Sequence, residues 1–344
     1  MPDWLFTPVA GAAGGVLASL VGWPLPWLVG SLLAVLLLRC LAGLNLREVP
    51  GARKAGQWLV GTGIGLHFSP VVLQQVVAHG GLLLSGALLT SLTCLIGIVL
   101  LRSAGHDRAT AFFASLPGGA SEMVNLGLRN GADPGRVAAG QSLRLLLVVL
   151  CVPALFQWWL GVPPVLAHGA GDNDLPLLGA LLGGGALLAL LWQRLGQPNP
   201  WLLAPLLFSG VAAVLLDLPL SLPLGTSELG QWLIGSALGC HFQRAFFRHA
   251  PRFVALVLLA TLLAMLAATL GALALGWLGA LDRRALLLGM MPGGIAELSL
   301  TAEALALSVP LITGLQVLRL VCVLFLAEPA FRLWQRIHPR EEGA

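Results

Sequence analysis

The sequence predicts an all-α polytopic membrane protein built from two inverted repeats. Each repeat should contain about five transmembrane helices and one re-entrant hairpin, giving about ten spanning helices and two hairpins in the chain. Three observations lead to this prediction: a strongly apolar composition, an internal repeat, and a Pro-Gly-Gly break that occurs once in each repeat.

The composition excludes an ordinary soluble protein. Of the 344 residues, 57% are hydrophobic and only 10% are charged, whereas soluble domains have about 25% charged residues. Uncharged runs such as 253–281 exceed the roughly 20 residues that a membrane helix needs. The net charge of +4 is small and lies in short loops, so it indicates membrane orientation and not nucleic-acid binding.

An internal repeat organises the chain. GQWLVGTGIGLHF (56–68) matches GQWLIGSALGCHF (230–242), and after a one-residue slip the segment around Pro117 matches the segment around Pro292. Order and spacing agree over most of each half, as expected for a tandem duplication. We therefore predict a first repeat at 1–165 and a second repeat at 175–340.

Loop charges predict that the repeats have opposite orientations. The loop after the second span contains Arg47, Arg53 and Lys54 in the first repeat, whereas its counterpart contains Asp217 and Glu228. Lys and Arg favour the cytoplasmic side of a membrane, so equivalent loops should face opposite sides. We expect a multi-pass protein of a bacterial inner membrane, with both termini in the cytoplasm and the linker between the repeats outside.

Inversion requires an odd number of crossings in each repeat. Apolar runs in the first repeat predict spans near 5–22, 25–44, 54–77, 80–101 and 137–160. Those in the second repeat predict spans near 176–194, 200–219, 229–245, 254–278 and 309–331. The count is five in each repeat only if the Pro-Gly-Gly segments, near 109–130 and 285–304, do not cross.

The Pro-Gly-Gly segments read LPGGASEM at 116–123 and MPGGIAEL at 291–298. Proline removes a backbone donor and glycine permits a sharp reversal, so we predict the tip of a hairpin whose arms each reach halfway through the membrane. Such backbone survives at depth only where it is buried in protein or lines a wet cavity. The freed N–H groups of the second arm suit an anion, and the freed carbonyls around Pro117 suit a cation. The alternative is a broken helix that crosses, which would give six spans per repeat in parallel.

Buried charges lie close to both breaks. Arg144 and Arg319 begin long apolar runs, and an unpaired arginine in a membrane core costs several kcal/mol. Glu122 and Glu297 follow the breaks, so a Glu–Arg pair is predicted within each repeat. The pairs either clamp the hairpin to the last span or bind substrate and protons. The candidate substrate- or ion-binding residues are Pro117, Gly118, Gly119, Ser121, Glu122, Asn125, Gln141, Arg144, Pro292, Gly293, Gly294, Glu297, Ser299, Gln316 and Arg319.

The paired P-G-G-x-x-E segments, with G-Q-W-x-x-G-x-x-x-G-x-x-F in each half, resemble the AbrB-type family of bacterial membrane proteins, which carries a duplicated domain. The resemblance covers nearly the whole chain. Members carry inherited labels such as ammonia monooxygenase or regulator of gene expression. The seven histidines are scattered, without the clustered ligands of a copper or iron enzyme, and no soluble stretch is long enough for a basic DNA-binding module. We therefore expect no enzyme activity, no catalytic residues, no metal and no cofactor.

The predicted architecture is also similar to that of sodium-coupled glutamate and 2-hydroxycarboxylate symporters, which move a transport domain by an elevator mechanism. By this analogy the sequence predicts a secondary transporter for a small anionic or zwitterionic substrate, an organic anion or amino acid, coupled to Na⁺ or H⁺. The alternatives are a membrane sensor that influences gene expression and, third, a membrane enzyme. We expect a homodimer in the lipid bilayer with no nucleic-acid partner.

Overall fold

The structure, a computed structural model, describes residues 5–160, 174–217, 220–242, 244–278 and 281–337. Most of the predicted 161–175 junction between the repeats lies outside these residues. The described residues form a series of α-helices, which confirms the predicted all-α class.

The helices follow the predicted order along the chain. The first half contains α1 (Phe6–Leu20), α2 (Pro26–Cys40), α3 (Ala52–Leu66), α4 (Pro70–Ala78), α5 (Gly80–Leu92), α6 (Cys94–Ser103), α7 (Arg108–Ser115), α8 (Ala120–Arg129) and α9 (Pro134–Leu160). The second half contains α10 (Leu175–Arg194), α11 (Pro200–Leu216), α12 (Thr226–Gly239), α13 (Arg244–His249), α14 (Pro251–Leu278), α15 (Arg283–Gly289), α16 (Ile295–Ala304) and α17 (Val309–Ile337).

The predicted third span differs from the structure. Residues 54–77 do not form one helix, because α3 ends at Leu66 and α4 begins at Pro70. Ser69 caps α4 by accepting a hydrogen bond from the N–H of Val72 at 3.3 Å, and Pro70 favours a helix start. In the described residues, the helices long and apolar enough to span a membrane are Gly80–Ser103, Pro134–Leu160, Leu175–Arg194, Pro251–Trp277 and Val309–Ile337.

Equivalent helices begin with the same backbone geometry in the two halves. Leu25 before α2 and Asn199 before α11 both have positive φ, 51° and 44°, which non-glycine residues seldom adopt. Pro26 and Pro200 then begin these helices, where the missing proline N–H costs nothing. These turns support the predicted repeat, while its inverted orientation stays a prediction.

The chain divides into two compact units, and each takes segments from both predicted repeats. Unit 1 comprises Met1–Gly80, Val148–Ala250 and Ile295–Thr313. Unit 2 comprises Gly81–Leu147, Pro251–Gly294 and Gly314–Ala344. The compact units therefore differ from the sequence repeats.

Glycines let the helices of unit 1 approach closely. A Cβ atom on Gly61 of α3 would collide with the carbonyl of Leu202 in α11, and one on Gly235 of α12 would collide with the carbonyl of Leu28 in α2. Only glycine allows backbones to approach this closely. Gly61 and Gly235 occupy equivalent positions in the two repeats, and so do Leu28 and Leu202. Each contact joins the glycine of one repeat to the leucine of the other.

Two tryptophans of unit 1 make matching hydrogen bonds. The indole N–H of Trp58 donates to the carbonyl of Leu182 at 3.0 Å, and that of Trp232 donates to the carbonyl of Pro8 at 3.1 Å. Tryptophan needs such a partner when its ring is buried. The donors and acceptors again occupy equivalent positions in the two halves.

Unit 2 has an aromatic core beside the first Pro-Gly-Gly segment. Phe112 and Phe113 of α7 pack on Phe331 of α17, with ring centroids 5.1 and 5.2 Å apart. Trp334 stacks on Phe112 at 5.9 Å. Helix α6 packs on both α7 and α14. This core fixes α7 against the end of the last long helix.

Candidate functional site

The first Pro-Gly-Gly segment folds back on itself. Asp107 begins α7, where its Oδ1 atom accepts from the N–H of Thr110 at 2.7 Å. The hydroxyl of Thr110 accepts from the N–H of Asp133, beyond the end of α8, at 2.8 Å. A Cβ atom added to Gly127 of α8 would lie 3.4 Å from the Cβ atom of Phe113 in α7, so the two arms are in van der Waals contact. Because the start of α7 lies beside the end of α8, this segment is a helical hairpin.

The arm lengths fit the predicted re-entrant depth. Helix α7 has 8 residues and α8 has 10, so they are about 12 and 15 Å long at 1.5 Å per residue. Each is about half of the roughly 30 Å hydrocarbon core of a bilayer. A hairpin whose base lies at the membrane surface would place its tip near the midplane.

The carbonyl groups freed at the first tip bind two side chains of α9. Gln141 Nε2 donates to the carbonyls of Phe113 and Leu116 at 2.9 and 3.0 Å. Arg144 donates to Leu116 at 2.7 Å and, more weakly, to Gly118 at 3.4 Å, and also to Gln141 Oε1 at 2.9 Å. These side chains satisfy the end of α7, which would otherwise leave carbonyls unpaired. The guanidinium of Arg144 therefore occupies these carbonyls, and a bound cation at them stays a prediction.

The second tip repeats this arrangement with residues of α17. Gln316 Nε2 donates to the carbonyls of Gly289 and Met291. Arg319 donates to the carbonyl of Met291 at 2.8 Å and to that of Gly293. The Gln-x-x-Arg spacing places both side chains on one helical face, so the same motif caps both breaks within unit 2.

Both arginines are buried, and the Nε–H of each is unpaired. Arg144 is 9% exposed and Arg319 is 3% exposed. The Nε atom of each is buried without a hydrogen-bond partner in the described part of the chain. Arg144 is also close enough for its charge to act on Arg319. Two buried positive charges thus lie in the same unit, and each still has an N–H available.

The predicted Glu122–Arg144 ion pair is absent from the described residues. Glu122 lies in the first turn of α8, and its carboxylate folds over Gly119, where an added Cβ would collide with it. A carboxylate at a helix N-terminus is favourable. Glu122 therefore occupies the position at which the sequence predicts an anion, and a bound anion there stays a prediction.

The polar residues of the two second arms have different surroundings. Ser121 and Asn125 are exposed on one face of α8. Ser299 of α16 is fully buried and shares a 2.7 Å hydrogen bond with Thr313. Glu297 is buried in unit 1, where the charge of Arg53 acts on it. Since Arg319 belongs to unit 2, its predicted pairing with Glu297 stays a prediction.

A small cavity of about 30 Å³ lies within unit 2 at the two tips. Pro117, Pro292 and Arg144 all line it, so the two breaks meet the same space. The sequence analysis missed its other polar lining residues, which are Thr93, Ser115 and Thr261. Isolated Ser and Thr residues in apolar helices form no sequence pattern that would identify a site. Thr93 does, however, lie between α5 and α6.

The AbrB family, described as "Transition state regulatory protein AbrB", matches residues 27–335. The chain belongs to the AbrB family. It is similar to "Uncharacterized protein YhjN" of Bacillus subtilis (strain 168), with 26% identity over 95% of this chain and 92% of the relative. It is also similar to a protein of Escherichia coli (strain K12) whose name provisionally describes it as regulator AbrB, with 27% identity over 93% of each chain.

Within the described ranges, no group of three or more His, Cys, Asp or Glu side chains could hold a metal ion. The five cysteines are free thiols and lie apart, at positions 40, 94, 151, 240 and 322. The chemistry that remains at the tips is therefore that of two guanidinium groups, a carboxylate and several hydroxyls.

Proposed function

We propose that this AbrB-family protein is a secondary transporter of a small organic anion or amino acid, driven by a Na⁺ or H⁺ gradient. The observation that carries the proposal is the pair of buried guanidinium groups, Arg144 and Arg319, each with an unused Nε–H. Neither forms an ion pair within the described part of unit 2. Such a site attracts an anion.

The energetic argument concerns uncompensated charge. Removing a charge from water costs several kcal/mol even after relaxation, and carbonyl dipoles recover only part of that cost. Two nearby guanidinium groups also repel each other. A carboxylate bound beside them would offset both terms and accept from the free donors in the bidentate manner that arginine favours.

The cavity that Pro117 and Pro292 share supports a site at the two tips. Broken helices near the midplane form the substrate sites of many secondary transporters. The cavity is small, so it favours a compact anionic group. The hydroxyls of Thr93, Ser115 and Thr261 already donate to backbone carbonyls at 2.7–2.8 Å, so they would offer the same space only acceptor lone pairs.

Glu122 offers a route for proton coupling. Its carboxylate occupies the N-terminus of α8, a position that an anionic substrate would also favour. Protonation of Glu122 would release that position and remove a competing negative charge. Substrate and proton would then enter together, and Na⁺ would have no effect on binding if this route alone operates.

The experiment combines a ligand screen with transport. Purified protein is screened for thermal stabilisation by carboxylates and amino acids, with and without Na⁺, since a ligand of the folded state raises its stability. The ligand found is then tested for gradient-driven uptake into proteoliposomes. We expect uptake that collapses with the gradient.

The matched variants separate the site from general charge. Arg144→Gln with Arg319→Gln should abolish the response to the ligand, whereas Arg332→Gln should keep it, because Arg332 is exposed and pairs with Glu328 at 2.6 Å. A full ligand response in the double variant would overturn the proposal.

A membrane sensor is the second candidate. The family description and the name of the Escherichia coli relative both refer to regulation. A sensor would bind the ligand and show the stabilisation, but proteoliposomes would take up none. The predicted homodimer stays a prediction, and the mass of the protein in detergent, measured by light scattering, tests it.

A further inference from the structure

A second cavity, of about 310 Å³, lies within unit 1 where α3 ends and α12 begins. Ligand pockets usually have volumes of about 300–1,000 Å³, so this cavity is large enough for a small molecule. It belongs to the other compact unit and has no residue in common with the site at the Pro-Gly-Gly tips. The sequence analysis interpreted its acidic residue Glu228 only as a topology signal.

Two carboxylates and one imidazole are the titratable groups that line this cavity. Glu228 and Glu303 line it, and their charges act on each other and on His67. In the described part of unit 1, neither carboxylate forms an ion pair with Lys or Arg. No Lys or Arg of the described residues lines the cavity, so His67 is the one basic side chain in its lining that could offset the charge of the two carboxylates.

The imidazole of His67 also lines this cavity, and its Nδ1 atom lies 2.9 Å from the carbonyl oxygen of Gly63. A carbonyl cannot donate, so Nδ1 carries a proton and donates to it. His67 carries at most one positive charge, which leaves the two carboxylates with a net negative charge.

The remaining lining residues are mostly apolar. They include Leu59, Ile64, Leu222 and Leu300. The three acidic and imidazole groups do not form a cluster that could hold one metal ion, since no such cluster occurs among the described residues. Apolar walls beside charged groups favour a ligand with a charged end and a hydrocarbon part.

We propose that this cavity binds a small aliphatic primary amine in its protonated form. A primary ammonium group has three N–H donors, which suit the carboxylate oxygens of Glu228 and Glu303. Its charge complements the two carboxylates, and its alkyl part contacts the leucines. This site is independent of the anion site proposed above, because it lies in a different unit and selects the opposite charge.

The test measures binding of n-butylammonium to the purified full-length protein by isothermal titration calorimetry. We expect saturable binding, no binding of the uncharged 1-butanol, and at least about tenfold weaker binding of tetramethylammonium, which has the charge but no N–H donor. Equal binding of tetramethylammonium would overturn the proposal, and so would saturable binding of Mg²⁺ that displaces n-butylammonium.

Three variants locate the site. Glu228→Gln and Glu303→Gln preserve side-chain size and should each weaken n-butylammonium binding at least about tenfold. Glu48→Gln, in the same unit but outside the cavity, should bind as the unaltered protein does. Leu222→Trp keeps both charges but fills the space, and should also prevent binding. Circular dichroism verifies the fold of each variant, and unchanged binding in both glutamine variants would overturn the proposal.

Discussion

Arg144 donates from Nη1 to the carbonyl oxygen of Leu116 over 2.7 Å, at the residue that ends α7. The hydrogen bond joins the last long helix of the first repeat to the tip of a helical hairpin. The guanidinium thereby does what a C-capping group does, since it satisfies a carbonyl that the break leaves free. A buried charge thus stabilises a buried break, and the Nε–H that remains is available to an anion.

Gln141→Leu should destabilise the first hairpin. Gln141 Nε2 donates hydrogen bonds to the carbonyls of Phe113 and Leu116. Leucine has a similar size but no hydrogen-bond donor. Leu116 keeps the donor of Arg144, but the buried carbonyl of Phe113 loses its side-chain donor, which should lower the free energy of unfolding by about 1–3 kcal/mol. Denaturant unfolding in detergent measures the change, with the exposed Gln74→Leu as control. Equal stability of both variants would contradict the capping role of Gln141.

Glu122→Gln separates a structural carboxylate from a functional one. If Glu122 serves proton coupling, the variant should remain folded, with a loss of at most about 1 kcal/mol from the lost helix-end charge. Its ligand-dependent stabilisation should no longer vary with pH. Combining it with Arg144→Gln should not restore the response. Full recovery of ligand-dependent stabilisation in the double variant would show that both residues have only a structural role.

Gly61→Ala and Gly235→Ala should disturb unit 1 to similar extents. In each case the added Cβ would collide with a backbone carbonyl of a neighbouring helix, and such overpacking costs about 1–3 kcal/mol. Gly183→Ala is the matched control, because no atom lies within 4 Å of its Cβ position. It should be neutral or stabilising. The unfolding temperatures of the three variants test this prediction. An unchanged unfolding temperature for Gly61→Ala or Gly235→Ala would argue against the close contacts.

The hairpin predicts that its two ends face the same side of the membrane. Ser103→Cys precedes α7 and Arg129→Cys ends α8, and both positions are exposed. In a background without the five native cysteines, a membrane-impermeant maleimide should label both in inverted vesicles and neither in intact cells. Labelling of one site from each side would show a crossing segment and remove the basis for inverted repeats.

His106, in the loop before α7, should make stability depend on pH. Its Nδ1 atom lies 3.2 Å from Arg136 Nη1 and accepts from it. Burial lowers the pKa of His106, the charges of Arg136 and Arg252 lower it further, and Asp107 raises it in part. The unfolded chain therefore binds this proton at a higher pH than the folded one, so stability should fall as the pH drops below about 6.5.

The measurement is the unfolding temperature between about pH 5 and pH 8. His106→Gln should flatten the decline on the acidic side, and Arg136→Gln should reduce it, because that change removes a neighbouring positive charge. An unaltered acidic slope in both variants would exclude His106 as its source.

The AbrB-family sequence was sufficient to predict the helices and the breaks. Apolar runs gave most spans to within a few residues, and Pro-Gly-Gly located both tips, because length, apolarity and backbone freedom are local properties. The third span was the exception in both repeats. In the first repeat, Ser69 and Pro70 begin a new helix, although the run of apolar residues continues past them. In the second repeat, α12 ends at Gly239, before the predicted end of the span at 245.

The sequence by itself also determined that Gln141 and Arg144, and their equivalents, lie on one helical face, because a spacing of three residues fixes this. Only the tertiary structure decided what they contact. Opposite charges in a sequence suggest ion pairs, but the acceptors that Arg144 uses are the carbonyls of Leu116 and Gly118. Backbone carbonyls are present at every residue, so no pattern marks the few that a break leaves free. Folding selects them, because a buried donor takes whichever unsatisfied acceptor the packing places within reach.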